Sequence, residues 1–222
     1  MCGRFTLFLD AETLREEFGL TEVPPDLSPR YNIAPSMQLA VVTSVESRKA
    51  EWMRWGLVPS WAKDPAIGNK MINARSETLT EKPSFRNAFQ RRRCLILADG
   101  FYEWKRGEGK GPSVPYYFHL VDNKPFAFAG LWEFWRSPDG EDLRTCTIIT
   151  CAANSLVASV HDRMPVIFTA ETADQWLAPA PVEKLQPLLA PLDAARMSAY
   201  PVSRAVNAPG YDSSELIRPV EG

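Results

Sequence analysis

Along the chain, apolar and polar positions alternate over short stretches far more often than they repeat at helical spacing. Runs rich in aromatic and β-branched residues, set between Gly, Pro and Asp, predict strands over 38–45, 51–57, 94–98, 101–105, 116–121, 126–134, 143–151 and 166–169. Helical spacing is rarer. Leu14 and Phe18 stand four apart, with Asp10 placed to cap a helix start and Gly19 to stop it. Further helices are expected over 84–92, 156–160, 172–177 and 182–189. They are too few and too unevenly placed for a repeating strand–helix–strand pattern. The expected fold class is therefore α+β, with a curved, mainly antiparallel sheet forming a barrel-like core and helices at its periphery. Gly107 to Pro112 reads as a flexible surface loop. The 19 prolines form no tract, and no linker or repeat divides the chain, so residues 1–222 are expected to form one domain.

Composition narrows the class. With 45% hydrophobic and 23% charged residues in 222, the chain sits in the globular range and not with collagen, coiled coils or extended disorder. No apolar run reaches the 18 residues of a membrane span, and the N-terminus lacks the basic and apolar regions of a signal peptide. The expectation is a cytoplasmic protein with no membrane partner, acting as a monomer. Its four cysteines, Cys2, Cys94, Cys146 and Cys151, then read as free thiols. Cys146 and Cys151 are an odd number apart on a predicted strand and point to opposite faces. With two histidines, His119 and His161, and no C-x-x-C, no metal site and no cofactor are expected.

Charge adds an asymmetry that the net value of −2 conceals. Residues 48–93 hold eleven Lys or Arg against four acids, which leaves 14 basic against 23 acidic residues elsewhere. Trp52, Trp55 and Trp61 lie inside the basic stretch. Cations interleaved with large aromatics suit a single nucleic-acid strand, whose phosphates need charge and whose unstacked bases need flat faces. A solvated basic face over core tryptophans gives the same pattern.

The most reactive position is the second residue. Aminopeptidases remove an initiator Met when the next side chain is small, which leaves Cys2 with an α-amine and a thiol on neighbouring carbons. The reference pKa of the amine is near 7.7–8.0 and that of the thiol about 8.5, so both are partly nucleophilic at neutral pH. An aldehyde meeting this pair forms an imine and then a five-membered thiazolidine. Three other segments carry chemistry. In Met71 to Thr78, Asn73, Arg75 and Glu77 occupy alternate positions and share a face if the segment is extended. Glu103 lies among Phe101, Tyr102 and Trp104, and apolar surroundings raise a carboxyl pKa toward general-acid use. His161 and Arg163 lie at an expected helix-to-strand junction. Each also has a plain reading: a polar surface strand, a Glu reaching past core aromatics, and a His capping a helix.

Taken with the start Met1-Cys2-Gly3-Arg4-Phe5, these segments resemble the SRAP family of SOS-response-associated peptidase-like proteins, which crosslink to abasic sites in single-stranded DNA. Tyr31 to Pro35, Arg54 to Trp61 and Ala98 to Trp104 resemble that family's blocks in the same order. The resemblance spans residues 2–170, and 171–222 are expected to complete the fold. It implies that Cys2 is the crosslinking residue, that Asn73 holds the Cys2 end and the sugar, that Glu103 assists ring opening and proton transfer at C1′, and that His161 shuttles protons. It further implies phosphate contacts for Arg4, Arg75, Arg86 and Arg163, and a strand path shaped by Asn32, Pro35 and Trp61. The implied partner is single-stranded DNA carrying an abasic site, with the protein at the nucleoid when bound. An AP lyase side reaction through the imine is part of this reading. Two rivals remain. One is a cysteine peptidase that uses Cys2, His161 and Glu103 and can release its own Met1. The other is a noncovalent single-strand binder.

Overall fold

Two strands of eleven residues each organise the molecule. In the computed structural model, which describes residues 2–220 except 108 and 110, the strands are β1 (Phe5–Leu7), β2 (Arg30–Ile33), β3 (Gln38–Val42), β4 (Ala50–Trp55), β5 (Asn73–Arg75), β6 (Arg93–Ala98), β7 (Gly100–Lys105), β8 (Val114–Leu120), β9 (Phe126–Arg136), β10 (Asp142–Ala152), β11 (Arg163–Pro165), β12 (Ile167–Phe168) and β13 (Met197–Pro201). The α-helices are α1 (Ala11–Phe18), α2 (Pro83–Arg91), α3 (Ser155–Ala158), α4 (Ala170–Leu177) and α5 (Val182–Leu185). The fold is α+β, as the pattern predicts.

β9 and β10 are long enough to serve several neighbours. The first half of β9 pairs with β6, and its second half with β10. β10 also pairs with β4, β4 with β3, and β3 with β6, so five strands close a circuit. That circuit is the barrel. Its pairings are antiparallel except β4–β10, and β5 also joins β10 in parallel. A second sheet, in the order β13-β8-β7-β1-β2, is wholly antiparallel. It packs on the barrel through edge-on rings: Phe5 against Trp55 and Phe128, each at 5.3 Å, and Phe101 against Phe128 at 6.2 Å. The outer face of this sheet buries Tyr102 and Tyr117 beneath Val202, Val206 and Leu216 of the C-terminal segment. Residues beyond 170 thus supply an edge strand and a cover.

Local chemistry sets the boundaries. The Asp10 carboxylate accepts from the Thr13 N–H at 2.8 Å, and Gly19 ends α1 at φ 61°, a left-handed conformation that suits glycine. The helix expected over 182–189 divides at Gln186, because Pro187 has no N–H to continue it and 186–189 form a 3-10 turn. The strand expected over 38–45 stops at Val42, before a turn in which Arg48 adopts φ 43°. The expected loop at 107–112 lies between β7 and β8, although residues 108 and 110 fall outside the described residues. β10 is buried on both faces along its middle, so both Cys146 and Cys151 are buried, and all four cysteines are free. Among the described residues, no helix is long and apolar enough to cross a membrane.

Candidate active site

Cys2 lies just before β1, and the pairing of β1 decides what it meets. Phe5 faces Phe101 and Thr6 faces Gly100 on β7, and the Tyr102 N–H donates to the Arg4 carbonyl at 3.0 Å. Continued outward, this antiparallel register sets Glu103 across from Gly3, one residue from Cys2. Asn73 arrives from another direction, on β5 against Ile148 of β10, and its Nδ2 donates to the Cys2 carbonyl at 2.9 Å. Its Oδ1 is buried and has no hydrogen-bond partner among the described residues. His161 follows α3 and precedes β11, which also lies on the C-terminal half of β10.

Electrostatics ties these groups together. Glu103 is buried, and that burial raises its carboxyl above the ordinary range, while the charge of His161 draws it partway back. Burial also pushes the Cys2 thiol well above its usual range, and the Glu103 carboxylate pushes it further. His161 Nδ1 lies 3.0 Å from the Arg163 amide nitrogen and 3.3 Å from the Arg163 carbonyl oxygen, so the backbone of Arg163 holds the ring at Nδ1. In the charged ring, Nδ1 faces the exposed Asp162 carboxylate at 3.1 Å. Cys2, Asn73, Glu103 and His161, scattered in sequence, are gathered in one place. Glu103 does not reach past its aromatic neighbours to solvent.

The remaining expected positions divide. Arg75 on β5 and Arg86 on α2 are exposed, Pro35 is half-buried, and Trp61 is 59% exposed in a hollow with Lys63 and Lys70. Arg4 and Asn32 are engaged internally. Arg4 Nη1 donates to Asn32 Oδ1 at 2.9 Å and to the Val206 carbonyl at 2.8 Å, while Asn32 Nδ2 donates to the carbonyls of Ala208 at 3.0 Å and Tyr211 at 2.8 Å. Asn32 is only 1% exposed, so its amide is turned inward and not toward a surface ligand. Arg163 forms a two-pronged pair with Glu77, at 2.5 and 2.9 Å, and donates to the Thr150 carbonyl at 2.6 Å. That pair holds the Glu77 carboxyl below its ordinary range.

This pair corrects one expectation. Asn73, Arg75 and Glu77 do not share a face, because β5 ends at Arg75 and a 3-10 turn over Ser76–Thr78 carries Glu77 to Arg163. Of the three tryptophans in the basic stretch, Trp55 is core and donates to the Ile72 carbonyl, and Trp52 donates to Asp26, leaving Trp61 as the exposed ring. Arg93 is buried against the carbonyls of Phe89, Gln90, Trp176 and Ala178, and Arg92 pairs with Glu133, so the run Arg91 to Arg93 is mostly a helix end. An open cleft of about 710 Å³ lies beside His161, walled by Trp104, Lys105, Arg106 and Asp162, and no sequence motif foretold it. The adjacent Lys105-Arg106 pair directly after Glu103-Trp104 was its available signal.

Comparison with known proteins supplies independent findings. The model of a family described as SOS response associated peptidase (SRAP) matches residues 1–209. The chain is 49% identical over 222 residues to the abasic site processing protein YoqW of Bacillus subtilis strain 168, covering 98% of this chain and 99% of that one. It is 34% identical to the abasic site processing protein HMCES of Gallus gallus, covering all of this chain and 78% of that protein. A crystal structure of a Bacteroides thetaiotaomicron protein shares the fold at a TM-score of 0.90 and 27% identity, over 99% of this chain and 100% of that one. One from Bordetella bronchiseptica does so at 0.80 and 30% identity, over 91% and 100%.

Proposed function

The chain belongs to the SOS response associated peptidase (SRAP) family, and on that premise we propose that it processes abasic sites in DNA, crosslinking to them in single strands through Cys2 once Met1 is removed. The observation that carries this reading is the Asn73 amide holding the Cys2 carbonyl at 2.9 Å while Glu103 and His161 sit within electrostatic reach.

An abasic sugar is mostly a closed hemiacetal. Glu103, whose burial favours its protonated form, donates to the ring oxygen, and His161 accepts the anomeric hydroxyl proton, which releases the aldehyde. The Cys2 amine adds to C1′ and expels the hydroxyl as water, giving an imine. The thiol then adds across the C=N bond: sulfur bonds to carbon, its proton passes to nitrogen, and the thiazolidine closes. Protein and DNA combine with the loss of one water, and no oxidant or reductant takes part. Asn73 Oδ1 is free to accept a hydrogen bond from the amine or the sugar. Arg75 and Arg86 are placed to meet phosphates and Trp61 to stack, while Arg163 must exchange Glu77 for a phosphate to do so.

The raised Cys2 thiol argues for this order of events. A cysteine peptidase needs a thiolate made by a neighbouring imidazolium, whereas here burial keeps the sulfur protonated. An amine that attacks first and a thiol that closes afterwards need no thiolate at the start. The test uses Met1-free protein and an abasic single-stranded oligonucleotide resolved on a denaturing gel. The wild-type protein is expected to give a heat-stable adduct. Cys2→Ala, which keeps the amine, is expected to lose it while retaining imine-driven strand cleavage. A heat-stable adduct persisting in Cys2→Ala would overturn the ring-closure step, and turnover of a peptide in trans would favour the peptidase.

A further inference from the structure

β1 is three residues long, and its ladder is irregular. It registers with β7 at Phe5–Phe101 and Thr6–Gly100, and its register with β2 shifts between Phe5 and Leu7. A slip of one residue along such a ladder would move a side chain by about 3.3 Å and turn it to the other face. Cys2 hangs from the free end of this strand. Any shift of β1 is therefore displacement at Cys2.

Asp99, the single residue between β6 and β7, fixes this register. Its carboxylate is buried: Oδ1 accepts from the Thr6 hydroxyl at 2.5 Å, and Oδ2 accepts from the N–H groups of Phe8 at 2.5 Å and Leu9 at 2.9 Å. Its own N–H donates to the Thr6 carbonyl at 3.1 Å. The Thr6 hydroxyl also lies 3.1 Å from the Tyr117 hydroxyl, and a Cβ at Gly100 would sit 2.0 Å from that oxygen. All four Asp99 bonds join the segment that begins at Cys2 to the segment that carries Glu103.

We propose that Asp99 is a positioning residue for crosslinking, fixing β1 against β7 so that the Cys2 amine and thiol meet Glu103 at reacting distance. The inference rests on the reading of Cys2 as the crosslinking residue. Its content is hydrogen-bond geometry: an Asn at 99 can accept the two N–H groups with its oxygen and donate to Thr6 with its nitrogen. An Ala removes the acceptor of two partly buried N–H groups and leaves the Thr6 hydroxyl the longer contact to the Gly100 carbonyl, at 3.3 Å.

The experiment compares Met1-free wild type, Asp99→Ala, Asp99→Asn and Thr6→Val. Single-turnover formation of the heat-stable adduct is measured at saturating protein, alongside Kd for the same oligonucleotide without the lesion. Asp99→Ala is expected to slow adduct formation at least about tenfold, inside the roughly 10²-fold that a 1 Å misplacement produces, with Kd changed by less than about twofold. Asp99→Asn is expected to recover to within about threefold of wild type, since it keeps the clamp. Asp99→Ala crosslinking at the wild-type rate, or losing intact-strand binding in step with rate, overturns the proposal. If Asp99→Ala does not fold, Thr6→Val decides: slower adduct formation with Kd retained supports the clamp, and an unchanged rate overturns it. A wild type that forms no adduct would instead overturn the proposed function, so the two failures are distinct.

Discussion

In the proposed reaction, Cys2 brings an amine and a thiol on one residue. Asn73 donates to the carbonyl of the same residue, which on this reading aims the amine without touching it. Asn73→Ala is expected to slow adduct formation by about tenfold or more through lost orientation, with the affinity for intact strand unchanged. A parallel loss of affinity would show that Asn73 binds the strand instead of aiming the amine. Asp99 yields a second expectation, this time on stability. Burial raises its carboxyl to about 6. Between the ordinary value near 3.9 and about 6, the folded chain holds a proton that the unfolded chain has released, so this contribution is present at low pH and disappears as pH rises through about 6. It amounts to on the order of 2–3 kcal/mol. Asp99→Asn lacks this dependence, so its stability relative to wild type is expected to rise between pH 4.5 and 7.5 in urea unfolding. A constant difference would contradict the assignment. Cys2 is legible from its own chemistry, whereas Glu103 and His161 each also have a plain reading and are joined to it by the family resemblance. The role of Asp99 is not legible, since its partners are a hydroxyl and backbone N–H groups some ninety residues away in the chain.

Among the elements, those with strong periodicity or clear end signals were the ones that could be read. α1 runs between its Asp10 cap and its Gly19 stop, and the strands over 94–98, 101–105 and 143–151 lie inside β6, β7 and β10. β1, β2 and β13 were missed, because three to five residues carry too few alternations to register as a strand. The pairing of β5 and β11 with β10 is equally illegible, resting on contacts distant in sequence. The connection from β4 toward Trp61 turns on Gly56, at φ 124°, where a Cβ would lie 2.6 Å from the Gly68 carbonyl oxygen. Gly56→Ala is expected to destabilise by about 1–3 kcal/mol in urea unfolding, from backbone strain and the clash. Gly210→Ala, where a side chain would enter open space, is the control and should stay within about 0.5 kcal/mol. Equal stability of the two variants would remove the strain argument.

On the scale of the whole molecule, the sequence pattern indicated an α+β fold but could not reveal barrel closure, which depends on β9 giving its two halves to different partners. Nor could it reveal that the C-terminal segment reaches the site's border, where the Val206 carbonyl accepts from Arg4. Charge segregation is a property of this scale too. On the proposed reading, the logarithm of the affinity for intact single strands falls linearly with the logarithm of salt concentration, and Arg86→Ala should reduce that slope by about 0.7. An unchanged slope would take Arg86 off the strand's path. The central claim concerns covalency, and intact-mass spectrometry of Met1-free protein mixed with an abasic oligonucleotide tests it most directly. The expected product has the summed mass of protein and DNA less one water, is absent from Cys2→Ala, and survives heat. Two unshifted masses, or a summed mass that Cys2→Ala forms equally well and that resists heating, would contradict the account.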